Sequence, residues 1–213
     1  MSTNIKALIF DIGGVLFFPK ENGREKHLLS SFKEASLLAN NYGIDALENF
    51  GDLFAVYQKS AVGEISKEET ADSMSKILGI SAKETEELFR KIYTENTIEN
   101  HELYEYVLRL KKDGYKIGIL SIQFHLSKDV MVPKKYYDNF DALDISSDDK
   151  LKKPDKKAYE SILEKLKIKP EESIFVDDNQ RNLDVAEELN MKTILFKDNK
   201  HFFEDVEKFN IKR

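Results

Sequence analysis

Four short polar stretches stand where apolar runs stop or a helix opens: Asp11-Ile12-Gly13-Gly14 after residues 5–10, Ser121-Ile122-Gln123 after residues 117–120, Lys152-Lys153-Pro154-Asp155, and Asp177-Asp178-Asn179 after residues 174–176. Carboxylates grouped with one lysine and one hydroxyl suit phosphoryl chemistry. A phosphoryl group carries negative charge that has to be neutralised before another anion attacks it, and a hard divalent cation held by carboxylate oxygens does this. Magnesium fits such a donor set. Asp11 can offer one oxygen to the metal and the other to phosphorus, with the Gly13 carbonyl and Asp178 as further ligands and Asp177 sharing the site or standing behind it. Each residue alone has a plainer role: aspartate before Gly-Gly makes a turn, a strand-end serine satisfies loop backbone, and paired aspartates complement a helix dipole. Their order and their placement at strand ends set the group apart.

Positioning these residues requires a particular scaffold. Five apolar runs read as buried parallel strands: Ala7–Phe10, 117–120, Ala142–Ile145, 174–176 and 193–196. Helical patterns separate the last four. Leu103, Val107 and Leu110 mark one helix stopped by Gly114, Ala158, Ile162 and Leu166 a second, and Leu183, Ala186 and Leu189 a third ending at Asn190. Alternation of this kind predicts an α/β fold, a Rossmann-like, doubly wound and mainly parallel sheet that collects ligands at the carboxyl ends of its strands. Residues 20–98 lack strand-like runs and read as consecutive helices, two of them opened by capping boxes, Ser66 with Glu69 and Ser81 with Glu84. The expected organisation is a core of residues 1–18 and 99–213 with an inserted α-helical cap, 19–98. Phe17, Phe18 and Pro19 fall at the hinge, as a flap or as packing. Phe32, Phe50, Phe54 and Tyr57 read as bundle core rather than as a sugar-stacking surface.

Composition bounds the partners. With 213 residues, 41% of them hydrophobic, the chain can bury a core and a small accessory module. The 33 Lys+Arg against 39 Asp+Glu give a net charge of −6, so nothing general attracts a nucleic acid. There is no cysteine, which excludes disulfides and thiolate metal sites and permits a cytoplasmic setting. The opening apolar run is interrupted by Lys6 and is too short for a signal core or a membrane span. The pattern sets no oligomeric state.

With Asp11, Ser121, Lys153 and Asp177-Asp178 in this order, the chain resembles the haloacid dehalogenase (HAD) superfamily over nearly its whole length, specifically members with a helical cap after the first strand. The resemblance implies that Asp11 is the nucleophile of an aspartyl-phosphate mechanism. It further implies that Ser121 and Lys153 stabilise the transferring group and that Mg²⁺ sits on Asp11, Gly13 and the acidic pair. Gly14, Ser121, Ile122, Gln123, His125 and Lys153 are then expected around a small phosphorylated metabolite. Among subgroups the chain looks closest to sugar-phosphate phosphatases with an Asp-x-Gly first motif, such as the α-D-glucose-1-phosphate phosphatases.

One departure matters. Where the commonest phosphatase motif has a second aspartate as general acid and base, this chain has Gly13. Such a group contributes roughly 10²–10⁴-fold. His125 or an ordered water can replace it, a good leaving group such as halide can dispense with it, or the protein keeps the site for binding or regulation. The acidic pair argues against halide, since halide displacement needs no cation. A phosphorelay receiver domain would carry its acidic pair near the start of the chain, not late.

Overall fold

Leu8 and Phe10 face one side of the first strand and Ala7 and Ile9 the other, and all four are fully buried, so this strand has to lie inside a sheet covered on both faces. The structure, a computed structural model, describes residues 4–19, 36 and 39–212. Its main sheet contains β1 (Ala7–Phe10), β4 (Lys116–Ser121), β5 (Ala142–Ile145), β6 (Ser173–Asp177) and β7 (Lys192–Leu195), in the order β5-β4-β1-β6-β7 and parallel throughout. The five strands expected from the sequence are these, each within a residue of the expected ends.

Helices cover both faces. Leu8 and Phe10 share one core with Leu103, Val107 and Leu110 of the helix His101–Lys112 and with Phe202 and Val206 of Asn199–Glu207. Ala7 and Ile9 share another with Tyr159 and Ile162 of Lys156–Leu166 and with Leu183 and Ala186 of Gln180–Glu188. β1 is central and the chain order reverses across it, which opens a crevice at its carboxyl end. Register brings the motifs together there: Phe10 pairs with Ile119 and with Val176, so Asp11 leaves the sheet beside Ser121 and Asp177.

The inserted region is helical, with Phe50–Ala61, Lys67–Leu78 and Ala82–Asn96 among the described residues. Both expected capping boxes are formed, Ser66 with Glu69 and Ser81 with Glu84. Phe32 and the rest of residues 20–35 lie outside the described residues. The helices bury Leu53, Ala71, Met74, Leu88, Phe89 and Ile92. This apolar cluster also takes in Phe124 and Leu126, which open the helix His125–Met131 directly after β4.

A second, two-stranded sheet joins β2 (Phe17–Pro19) to β3 (Thr97–Glu99) antiparallel, where the chain leaves for the helices and where it returns. Phe17 meets Tyr136 edge-on and Phe18 stacks on Phe196, so both phenylalanines pack against the core. The buried Asn100 fixes the return: its side-chain amide donates to the Val15 carbonyl at 2.9 Å and exchanges hydrogen bonds with Asn199.

Candidate active site

Asp11 stands one residue beyond β1. Its backbone N–H continues the ladder to the Val176 carbonyl, and its Oδ1 accepts from the Ile12 N–H at 2.7 Å, which fixes the carboxylate at the mouth of the crevice. Lys153, with its side chain 1% exposed, places Nζ 3.0 Å from Asp11 Oδ2 and 2.6 Å from Asp177 Oδ2. Asp177 ends β6 fully buried, with its oxygens taken up by protein donors. Oδ1 accepts from the Asn179 N–H at 2.8 Å, and both oxygens accept from the Asn182 amide at 3.0 Å. Asp178, by contrast, lines the open cleft together with Asp11, Gly13, Ser121 and Lys153.

Three carboxylates face one ammonium, and the imbalance shows in the acidities. Burial pushes the Asp11 carboxyl up to about 7, with Asp177 and Asp178 adding to the rise and Lys153 opposing it. Burial also pushes Asp178 up to about 6, helped by Asp177. Desolvation would depress the Lys153 ammonium, but its contacts with Asp11 and Asp177 outweigh burial and raise it. One oxygen from each of Asp11, Asp177 and Asp178 can be chosen so that all lie within 4.8 Å of one another. An underneutralised cluster of hard oxygen donors is the kind of site that fits Mg²⁺.

Backbone shape completes the cradle. Gly14 adopts φ +76°, and a Cβ added there would meet Asp178 Oδ2 at 2.3 Å. Gly14→Ala is therefore expected to displace the Asp178 carboxylate and weaken Mg²⁺ binding about tenfold or more, read by calorimetric titration with the metal. Unchanged affinity would show that Asp178 does not need that space.

Of the expected substrate-side residues, Ser121, Ile122, Gln123 and Lys153 line the cleft, whose volume is about 390 Å³. Gly14 sits against Asp178 rather than in the lining. Gln123 is held from both ends: its N–H donates to Ser146 Oγ and Ser146 Oγ–H to its carbonyl, while its Oε1 accepts from the Tyr137 hydroxyl at 3.1 Å. Its Nε2 is buried without a protein partner. His125 is not among the lining residues. It opens its helix, and its N–H donates to Ser60 Oγ.

Several residues of the site escape a reading of the sequence. Asn182 holds Asp177 from the first turn of the following helix, a position that its spacing from Asp177 makes recognisable. Ser127 and Met131 line the cleft from consecutive turns of one helix, also a readable spacing. Tyr57 and Tyr93 reach it from the inserted helices, and no local signal marks them.

The comparisons with known proteins agree with this frame. A family model for haloacid dehalogenase-like hydrolases matches residues 5–190. The chain is 30% identical over 128 residues to the pyrophosphatase PpaX of Bacillus mycoides strain KBAB4, covering 58% of this chain and 60% of that protein. It is 33% identical over 103 residues to the glyceraldehyde 3-phosphate phosphatase of Pyrococcus furiosus (47% and 43%). The chain thus spans 60% or less of these curated relatives. Among solved structures, a predicted HAD-like family hydrolase of Porphyromonas gingivalis has a TM-score of 0.75 at 19% identity, covering 99% of this chain and 100% of that one. A HAD family enzyme of Bacteroides thetaiotaomicron, solved with magnesium and inorganic phosphate, has a TM-score of 0.72 at 22% identity (93% and 99%). These two structures share the fold. With a model that spans the central strand, the inserted helices and all four polar stretches, this chain belongs to the haloacid dehalogenase-like hydrolase family.

Proposed function

We propose that the protein hydrolyses phosphate monoesters of small metabolites, sugar phosphates foremost, through an aspartyl phosphate on Asp11. The observation that carries this reading is the convergence of Asp11, Lys153 and Asp178 at the mouth of one cleft. Magnesium and phosphate in the Bacteroides thetaiotaomicron structure and the phosphatase name of the Pyrococcus furiosus relative support it. The Asp-x-Gly form of the first motif supports the sugar-phosphate class.

In this scheme a carboxylate oxygen of Asp11 attacks phosphorus as the bond to the ester oxygen breaks, and water then attacks the same phosphorus, releases phosphate and frees Asp11. Ser121 and the Lys153 ammonium donate to the phosphoryl oxygens. Mg²⁺, held by Asp11, Asp178 and the Gly13 carbonyl, would supply positive charge against the phosphoryl group. Asp177, whose oxygens are taken up by Lys153, Asn179 and Asn182, orients the lysine. Residues 19–98 would act as a cap over a core of 1–18 and 99–213, excluding bulk water. A cytoplasmic setting accords with the absence of cysteine, and among the described residues no helix is long and apolar enough to cross a membrane.

Gly13 gives the leaving oxygen no carboxylic acid. Rates of the Mg²⁺-supplemented protein across a series of aryl phosphates are expected to rise steeply as the phenol becomes more acidic. A flat series would mean that a proton donor acts, and no turnover with any phosphomonoester would end the proposal.

The acidities predict a linked effect on stability. Because the folded-state values of Asp11 and Asp178, about 7 and about 6, lie above the ordinary 3.8, the metal-free fold loses stability as pH rises from the usual carboxylate range through about 7. Excess Mg²⁺ should raise Tm by several degrees, on the order of 5–10 °C, near pH 8 and by much less near pH 5, as read by thermal unfolding. An increment independent of pH would contradict the site.

A further inference from the structure

Ser146 belongs to none of the four polar stretches, yet it holds one of them. Its place follows from register: Ser121 pairs with Ile145, so Ser146, the first residue after β5, stands beside the segment that leaves β4 for the cleft. Ser146 is fully buried. Its hydroxyl accepts from the Gln123 N–H at 3.1 Å and donates to the Gln123 carbonyl at 3.2 Å. A serine hydroxyl carries one proton and two lone pairs, so one side chain can serve both polar groups of the Gln123 backbone at once. The serine is itself held. It opens the turn Ser146–Asp149, and its carbonyl accepts from the Lys150 N–H at 3.0 Å. Asp149, at the end of that turn, accepts from the Ile145 N–H at 3.0 Å and from Lys165 Nζ at 2.7 Å. The Gln123 side chain is fixed as well, through the Tyr137 hydroxyl on its Oε1. Ser121 and Ile122, both in the cleft lining, thus lie between two anchors, the β ladder before them and the Ser146 clamp after them.

We infer that Ser146 is a positioning residue of the reaction: by clamping Gln123 it sets residues 121–123 so that the Ser121 hydroxyl and the Ile122 N–H meet the phosphoryl oxygens. The inference deepens the phosphomonoesterase reading and rests on it for the place of the phosphoryl group. Because the Gln123 N–H is taken up by Ser146, the Ile122 N–H is the backbone donor of this segment that stands next to the Ser121 hydroxyl. Donors aimed in advance at the transferring group need no rearrangement as charge develops, and a misplacement of about 1 Å can cost about 10²-fold in rate. Without the Ser146 hydroxyl, the buried Gln123 N–H and carbonyl both lose their partner, and the segment has to shift to satisfy them elsewhere. The proposed metal ligands are not part of this segment, since Asp11 and Gly13 follow β1 and Asp178 follows β6. Ser147 provides an internal contrast. It lies in the same turn and is 3% exposed, but its hydroxyl has no hydrogen-bond partner.

The test compares Ser146→Ala with Ser147→Ala, the same truncation at neighbouring buried positions. Calorimetry well below the Tm of each protein measures Mg²⁺ alone and then inorganic phosphate in magnesium chloride. Ser146→Ala is expected to weaken phosphate about tenfold and to lower kcat for p-nitrophenyl phosphate about tenfold or more, with Mg²⁺ affinity within about twofold of the parent. Ser147→Ala should match the parent in all three. A serine that merely supports the fold would lower Tm and leave the phosphate affinity and kcat of the folded protein unchanged. That result would overturn the inference, as would equal losses in both variants or a loss of Mg²⁺ affinity as large as that of phosphate. Nuclear magnetic resonance of the unsubstituted protein tests the clamp without either variant: the Gln123 amide should stay protected from hydrogen exchange with and without phosphate, and the Ile122 amide resonance should move when phosphate binds. A freely exchanging Gln123 amide or an unmoved Ile122 resonance would also overturn it. A parent that binds phosphate, loses it in Ser146→Ala and turns over no phosphomonoester would keep the positioning role and sink the hydrolase reading. No phosphate binding and no turnover by the parent would sink both.

Discussion

Asp11→Asn is expected to lower turnover of any phosphomonoester by about 10⁴-fold or more while leaving Tm within about 2 °C of the parent in the absence of metal. The two halves of this expectation have separate physical sources. In the proposed mechanism catalysis depends on a carboxylate oxygen at the carboxyl end of β1, and an amide does not replace it as a nucleophile. Stability depends on packing and charge, and here the change costs little. Asparagine has nearly the same shape, and its carbonyl can still accept from the Ile12 N–H; its amide nitrogen takes the place of the oxygen that meets Lys153, which keeps its contact with Asp177. Burial already pushes the Asp11 carboxyl up to about 7, so near neutrality the metal-free fold gains little from this group's charge, and losing it relieves repulsion from Asp177 and Asp178. A large fall in Tm with partial activity would mean that Asp11 is a structural residue.

Lys153→Met should behave in the opposite way, damaging stability and activity together. The side chain is 1% exposed and bridges Asp11 and the fully buried Asp177. Removing one partner of a buried ion pair leaves uncompensated charge and costs about 3–5 kcal/mol, on the order of 10 °C in Tm for a chain of this size. Asp177 would keep only neutral donors, the Asn179 N–H and the Asn182 amide. At neutral pH the folded fraction should turn over at least about 10²-fold more slowly, since the cation that offsets the transferring oxygens is gone. A variant as stable as the parent at all pH values would show that Asp177 is satisfied without the lysine.

Legibility in the sequence differs by element. The five parallel strands are legible because each is a continuous apolar run buried on both faces, a pattern that few elements besides a buried strand produce in so short a length. The helices of the core are legible from apolar spacing, and their ends from residues such as Gly114 and Asn190, both of which adopt positive φ. The pairing of β2 with β3 is not. Each strand has three residues, and the contact joins Phe17 to Glu99 across the whole inserted region, so no local pattern announces it.

The same division runs through the site. Asp11, Ser121 and Asp178 are readable because strand ends in this topology converge whatever the loops do, whereas Lys153 lies on a loop beyond β5 and is readable only from its place in the order of the motifs. The different surroundings of Asp177 and Asp178 are out of reach, since they depend on which carboxylate turns toward Asn182 and which toward Gly14. His125 shows the limit from the other side: closeness to a strand end suggests a role, but its helix turns Ser127 and Met131 toward the cleft and leaves His125 outside the lining, with its N–H on Ser60 Oγ. Tyr57 reads as bundle core, and its ring does pack on Phe124, yet the same ring lines the cleft.

The central claim is that the Asp11 carboxylate takes up the phosphoryl group, and the most direct measurement is to trap it there. Protein mixed with a radiolabelled phosphate ester and Mg²⁺, quenched in acid within one turnover and digested, should carry label on the peptide that contains Asp11. The Asp11→Asn protein should carry none. Phosphate released at the normal rate with no label on that peptide at any quench time would contradict the account.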